Sequence, residues 1–513
     1  MTEDEILKAV RKELDLGHAQ REEAVIRQLS LAMSAPGAPF TVAASVREKE
    51  GLNDLTSLYR FAANDKIDLK DLRTCRRNVV LSRFSPTNWV LLVNDMSVMD
   101  FSFHESKWDR RAIGDGDGEG YEYIPTLAVD FGSGRVLGVL HDTLVNAGGP
   151  DDADEVDYDY EPLFHEFSPA EQKRLRENHR HQMAARVTRP APVLAGKKTI
   201  HVADREFDDH YILDACIETK QEYVIRSSAL RNVLAPETDW LPESALTGRQ
   251  SGHPCPPGWT WVNMEGLAAA VPCVPYKTLD LDRRGRVVQE GATRDRTARL
   301  SIGACPVTLY RMAKRNKKYM KPRRTVTVNM VVIREIEPPP DVEQIFWVLF
   351  TSLPVETFDE QCLAGAIYEM RWAVEEFFRL FKSGYQVEKL KVDCAARLAR
   401  LMVILTLAAM VVLDVKREAG IGPGGALNDE QYRQVKKAVR EPENQEIPLP
   451  LRTFAMIARL GGWLGRRRDP IGPTILMRGV LTYQLMLGAM DELGPLLQEI
   501  RQSRSVGGEK NRV

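Results

Sequence analysis

The sequence has no cysteine pair at disulfide or zinc-ligand spacing. Its seven cysteines, at 75, 216, 255, 273, 305, 362 and 394, stand singly, and an odd count closes no disulfide framework. They read as reduced thiols, mostly buried. There is no glycine-rich phosphate loop, so nucleotide hydrolysis is not expected. No apolar run approaches the roughly 20 residues that cross a bilayer, and the opening MTEDEILKAVRKELD is charged and amphipathic rather than signal-like. These absences predict a cytoplasmic protein with no membrane partner. Internal repeats and low-complexity tracts are absent too. The net charge is only −2, so whole-chain charge alone does not point to nucleic acid.

What is there is a long, core-forming chain. With 513 residues, 43% of them hydrophobic, it holds about two to four domains. Charge is unevenly placed: acidic residues gather at 115–119 and 151–160, whereas 311–324 (RMAKRNKKYMKPRR) is almost purely basic. Such a stripe can grip phosphates or simply be a solvated loop. Residues 1–80 carry apolar positions at helical spacing, among them Ile6, Val10, Leu14 and Leu58. From Trp89 the pattern turns to strands: WVLLVND, a polar and acidic loop, then IPTLAVDF and RVLGVLHDTLV around a Gly-Ser-Gly turn. A charged helix is expected over 168–187, followed by strands KTIHVAD and EYVIRS. Residues 228–343 read as a mainly β insertion within an 81–394 domain. QIFWVLFTSL is the next strand, and one long helix is expected from Phe358 to Lys382. Residues 395–513 read as helical, with interruptions at GIGPGGAL and RRRDPIGP.

Three carboxylates stand at strand ends or on the helix after the sheet: Asp95 after WVLLVN, Asp204 after TIHVA, and Glu375 in YEMRWAVEEFFRLFK. Hard divalent cations need such oxygen ligands on rigid elements, and a pair of cations can activate an attacking oxygen and stabilise a departing one in phosphodiester cleavage. An aspartate at a strand end is more commonly a turn or cap residue. On a regular helix, Tyr368, Arg371, Glu375 and Lys382 fall within roughly 60° of one another, with Arg379 close to the same stripe. Spacing alone leaves two readings open, a site face and a solvated face of i, i+4 ion pairs.

The order Tyr-x-x-Arg-x-x-x-Glu-x-x-x-x-x-x-Lys at 368–382 resembles the Y-R-E-K signature of the insertion-sequence-four family of bacterial transposases. Further segments are similar to that family: ADREFDDHYIL at 203–213, YVIRSS at 223–228, FWVLFTSLPV at 346–355, LYRFAAND near Tyr59, and 457–479 near the C-terminus. The resemblance implies an α/β fold with an RNase H-like catalytic core, its β insertion, and flanking helical regions: an N-terminal one for the DNA ends and a C-terminal one for dimerisation. It implies two Mg²⁺ or Mn²⁺ ions per active site held by Asp95, Asp204 and Glu375. Arg371 and Lys382 would contact phosphates beside the scissile bond, and Tyr368 a phosphate oxygen. Trp347 would stack on a flipped base, with burial in the core as its plainer reading. Arg226 would be a further phosphate contact, with an ion-pair role as its plainer reading; Arg379 keeps the charge where the family often has lysine, and Arg73, Arg76 and Arg77 are candidates in the N-terminal region. The family usually has threonines after the first aspartate, where this chain has Met96 and Ser97, so a neighbouring hydroxyl contact is in doubt.

The partners implied are double-stranded DNA, as transposon ends and target, and a second copy in a synaptic homodimer near the nucleoid. The activity expected is cut-and-paste transposition through a hairpin intermediate. Two rivals stand beside it: an RNase H-like nuclease without strand transfer, and a non-catalytic DNA-binding inhibitor of transposition. GDGDGEG at 114–120 lacks the distal glutamate of a calcium loop and reads as a flexible acidic loop. His165, His179 and His181 lack zinc spacing and read as helix surface.

Overall fold

A computed structural model describes residues 3–34, 51–114, 116–151, 191–229, 231–247, 255–281, 296–310, 325–340 and 342–421, with scattered positions between 168 and 187 and between 458 and 482. The expected helix over 168–187, the acidic run 151–160, the basic run 311–324, the three histidines at 165, 179 and 181, and nearly all of the chain after 421 lie outside the described residues. The chain divides into two compact units, residues 1–79 with 376–513, and residues 80–375.

The second unit is built on one mixed sheet, with helices α5 (Ala191–Leu194), α6 (His210–Glu218) and α7 (Met264–Ala270) between its strands. Its strands are β1 (Val90–Asn94), β2 (Ser97–Asp100), β3 (Arg111–Ile113), β4 (Gly118–Asp130), β5 (Val136–Asn146), β6 (Gly149–Pro150), β7 (Thr199–Ala203), β8 (Glu222–Arg226), β9 (Asn232–Pro236), β10 (Trp259–Asn263), β11 (Val274–Leu281), β12 (Arg296–Tyr310), β13 (Thr325–Glu335) and β14 (Phe346–Thr351). They lie in the order β10-β9-β12-β13-β14-β8-β7-β1-β4-β5-β6, with β11 against β12 and with β2 and β3 against β4. β1, β7 and β8 are parallel, whereas β4 runs antiparallel to β1, and β5 to β4. The mainly apolar sequences of β1 (VLLVN) and β7 (TIHVA) follow from this position, since all five residues of each are buried. The insertion strands extend the same sheet through β13 and β14 instead of forming a layer of their own.

Two local details sharpen the strand pattern. β4 pairs first with β1 and then with β2, from Asn94↔Thr126 to Ser97↔Tyr123, so Asp95 and Met96 stand in a break between two strands laid along one partner. The stretch at 114–120 is only partly loop. Gly118 to Gly120 begin β4, and Gly120 approaches the Met99 carbonyl so closely that no Cβ fits there. The expected flexible acidic loop is therefore corrected: sheet pairing claims its second half.

The expected single helix from Phe358 to Lys382 is also corrected. It begins at Phe358, behind a capping box in which Thr357 accepts from the Glu360 N–H and Glu360 accepts from the Thr357 N–H at 2.9 Å. It then breaks into α8 (Phe358–Glu369) and α9 (Trp372–Arg379), and a π turn at Leu380–Gly384 follows. At the break the Met370, Arg371 and Ala373 N–H groups bond three residues back, a 3₁₀ pattern that turns the chain faster than the 100° per residue of a regular helix. The boundary between the units falls inside α9, after Glu375.

In the first unit, α1 (Glu3–Glu13), α2 (Ala19–Ser34), α3 (Gly51–Ala62) and α4 (Leu69–Leu81, which ends in the second unit) precede the sheet, and α10 (Ala395–Ile421) follows it. α10 packs against α1, α2 and α3. Its stretch Ala395–Asp414 is apolar and long enough to cross a membrane, contrary to the expectation that no such run exists, yet it is mostly buried inside the protein and serves as a core helix. Arg400 on α10 donates to the Ala62 carbonyl at 2.8 Å and the Ile67 carbonyl at 3.0 Å, closing the end of α3. Arg73 and Arg76 on α4 are buried, and Arg76 donates to Thr406 at 3.4 Å. They brace the core, so the expected phosphate contacts are corrected at these two positions. Three of the cysteines, Cys75, Cys216 and Cys305, are buried and the other four half-buried; all seven are free thiols, so fewer are buried than expected.

Candidate metal centre

The sheet register decides where the first two carboxylates go. β1 and β7 run parallel with Asn94 beside Ala203, so the next residues, Asp95 and Asp204, leave neighbouring strands at the same edge. Asp204 then caps a short 3₁₀ turn, Arg205–Phe207, and accepts the Glu206 N–H at 2.9 Å. That turn folds Glu206 back over the strand ends. Asp95, Asp204 and Glu206 each offer an oxygen within 4.8 Å of the others.

Asp95 is buried, and its carboxyl is pushed up to about 7 by that burial first and then by Asp204 and Glu206, against the opposing pull of the Met96 N–H and Arg371. Three carboxylates converging on a half-dry edge are the donor set that hard divalent cations take, and a cation there would relieve the crowding of negative charge on Asp95. The residues present therefore fit a hard divalent cation. Glu206 was not singled out from the sequence. The signal for it is its position two residues after a strand-end aspartate, within reach of an Asx turn.

Glu375, in the first turn of α9, faces this edge through Arg371. The guanidinium donates to the Glu375 carboxylate at 2.6 Å and to Asp95 at 3.3 Å. Tyr368 is buried beside it, its phenol raised by burial and accepting a hydrogen bond from Arg226. Trp347 on β14 packs edge-on against Tyr368, with ring centroids 5.3 Å apart. Arg226 also donates to the Phe346 carbonyl at 3.5 Å. The second unit thus gathers Asp95, Asp204, Glu206, Arg226, Trp347, Tyr368, Arg371 and Glu375. Arg379 and Lys382 belong to the first unit, where the Lys382 ammonium lies 3.7 Å from Glu388.

A buried polar chain lies under the two aspartates. Thr126 donates to the Asn94 side-chain oxygen at 2.9 Å, the Asn94 amide lies 3.0 Å from His201 Nδ1, and His201 Nε2 lies 2.7 Å from the Gln221 oxygen. Gln221 in turn donates to the Val187 carbonyl at 2.8 Å. This assigns a neutral imidazole with its proton on Nε2, since Asn94 supplies the donor at Nδ1. The chain ties β4, β1 and β7 together one residue before Asp95. Burial drives the His201 pKa down to about 4. The folded value lies below the unfolded one, so its contribution is complete above about pH 6.5 and fades as pH falls toward 4. Between pH 7.5 and 5.0 we expect His201 to account for about 2 kcal/mol of lost stability. Urea titrations at the two pH values check this: His201→Asn should flatten the difference, and an unchanged difference would assign it to other groups.

Residues 172–411 match the family model described as Transposase DDE domain. The matched segment is rather less than half of the chain and contains Asp204, Glu206 and Glu375, while Asp95 precedes it. This match supports a DDE transposase, a class of metal-dependent, DNA-cutting enzymes.

Proposed function

We propose that the chain is a cut-and-paste transposase that nicks DNA at an element's ends, forms and resolves a hairpin, and joins the freed 3′ ends to target DNA. The observation that carries this reading is the register that puts Asp95 beside Asp204, which lies within the segment that matches the transposase domain. The order of elements supports an RNase H-like core: a strand ending on Asp95, a hairpin, a strand ending on Asp204, the β insertion, a strand, then the helix with Glu375. Residues 1–80 would bind the element's ends, and 395–513 would pair two subunits near the nucleoid.

Asp95, Asp204 and Glu375 would hold two Mg²⁺ or Mn²⁺ ions, with Glu206 as a further donor. Bound there, such ions supply activation of the attacking water or 3′ hydroxyl and charge stabilisation at the departing oxygen. Arg371 and Lys382 would grip phosphate oxygens where negative charge builds, and Arg226 and Arg379 would extend that contact. Tyr368, kept as a neutral hydroxyl by its burial, would donate to a phosphate oxygen.

The test is an incubation of the full chain with Mg²⁺, a duplex bearing the repeats that flank its gene, and a supercoiled plasmid. End cleavage with products joined to the plasmid is the transposase outcome. Cleavage without joining returns the nuclease reading, and binding without cleavage returns the inhibitor reading. Trp347 is partly exposed in its strand, with Tyr368 in a T-shaped contact, and its partial exposure supports the reading that it would stack on a flipped base. Trp347→Ala should leave nicking intact and reduce hairpin yield about tenfold, the loss of one stacking contact; an unchanged hairpin yield on a sequencing gel would make Trp347 a packing residue.

A further inference from the structure

Arg371 holds a position that the chemistry of the site reserves for something else. Its guanidinium lies between Asp95 and Glu375, at 3.3 and 2.6 Å, and its side chain is only 13% exposed. Glu375 is thereby engaged by a cation of the protein itself, while Glu206 joins the two aspartates in its place. α9 enters this arrangement through the 3₁₀ break at Met370–Arg371, a turn that can rewind at small cost compared with a continuous helix.

We infer that Arg371 is a latch that substitutes for a divalent cation between Asp95 and Glu375 and releases them only when an oxyanion draws its guanidinium away. This rests on the reading of Asp95 as a metal ligand. Two parallel N–H groups of a guanidinium match a phosphate as well as they match a carboxylate, so a DNA phosphodiester is a competent exchange partner. The exchange frees two carboxylates as DNA arrives, which couples metal loading to DNA binding. Metal affinity without DNA is then reduced by the fraction of molecules whose latch is open.

The test measures Mn²⁺ binding to the DNA-free full chain through the electron paramagnetic resonance signal of free Mn²⁺. Arg371→Gln should bind Mn²⁺ about tenfold more tightly than the parent, and Arg371→Lys, with one charged point in place of a fork, should fall between them. Sulfate should tighten Mn²⁺ binding relative to chloride at equal ionic strength in the parent and not in Arg371→Gln. Equal or weaker affinity in Arg371→Gln overturns the latch and makes Arg371 a fixed brace; if that variant does not fold, an Arg371→Lys affinity no higher than the parent's does the same. No difference between sulfate and chloride in the parent overturns release by an oxyanion. Asp95→Asn is the separate control. If it binds Mn²⁺ as well as the parent, the metal site itself is misplaced and the latch fails with it.

Discussion

Replacing Asp95 or Asp204 by alanine is expected to stop strand cleavage, with a fall of about a thousandfold or more and with binding to the end sequence retained. The size follows from what cations held by the two carboxylates would supply: activation of the nucleophile and stabilisation of the leaving oxygen are each worth several kcal/mol, and each 1.36 kcal/mol is a factor of ten. Binding should survive because DNA affinity generally rests on many phosphate contacts, which these substitutions would not remove. The substitutions also relieve crowding. Burial and the neighbouring Asp204 and Glu206 push Asp95 up to about 7, so Asp95→Ala should be at least as stable as the parent without metal, whereas Asp204→Ala also loses the cap on the Arg205–Phe207 turn. A gel assay for cleavage, a mobility-shift assay for binding and a thermal melt read the three effects. Retained cleavage in either variant removes that aspartate from the chemistry.

The third carboxylate gives the second large effect, and two residues compete for the role. Glu206 shares the edge with Asp95 and Asp204, whereas Glu375 is held at 2.6 Å by Arg371. Once DNA engages Arg371, Glu375 is free to complete the site. Glu375→Gln is therefore expected to lower cleavage about a hundredfold or more even at saturating Mg²⁺. Glu206→Gln should instead weaken Mn²⁺ binding to the DNA-free chain about tenfold and recover most of its cleavage at high Mg²⁺. The opposite pattern would make Glu206 the third ligand and leave Glu375 as the partner of Arg371.

The two aspartates were legible because a central strand, buried on both faces, is mainly apolar and excludes an unpaired charge, so the first carboxylate after VLLVN or TIHVA marks the strand's end. Their adjacency was not, since only the pairing of Asn94 with Ala203 provides it. Glu206 stayed hidden for a related reason: its neighbour Asp204 caps a turn of three residues, too short to leave a periodic trace. The helix signature was legible in its residues and misread in its geometry. A uniform 100° per residue puts Tyr368, Arg371 and Glu375 on one stripe, but the chain tightens at Met370 and widens after Arg379. Such departures are imposed by packing around the helix and have no local code. Arg73 and Arg76 mislead in the same way. An arginine on an amphipathic helix looks solvated until another element covers it, and Thr406, 330 residues later, is what meets Arg76. Asn94 and His201 show the converse, two polar side chains within apolar strands that satisfy each other only when the strands are side by side.

If Asp95 and Asp204 together hold the cation of a DNA-cutting site, crystals of the full chain soaked in Mn²⁺ and measured for anomalous scattering should show a manganese peak between the two carboxylates, and that peak should disappear in Asp204→Ala. A peak elsewhere, or one that persists unchanged in Asp204→Ala, would contradict that assignment.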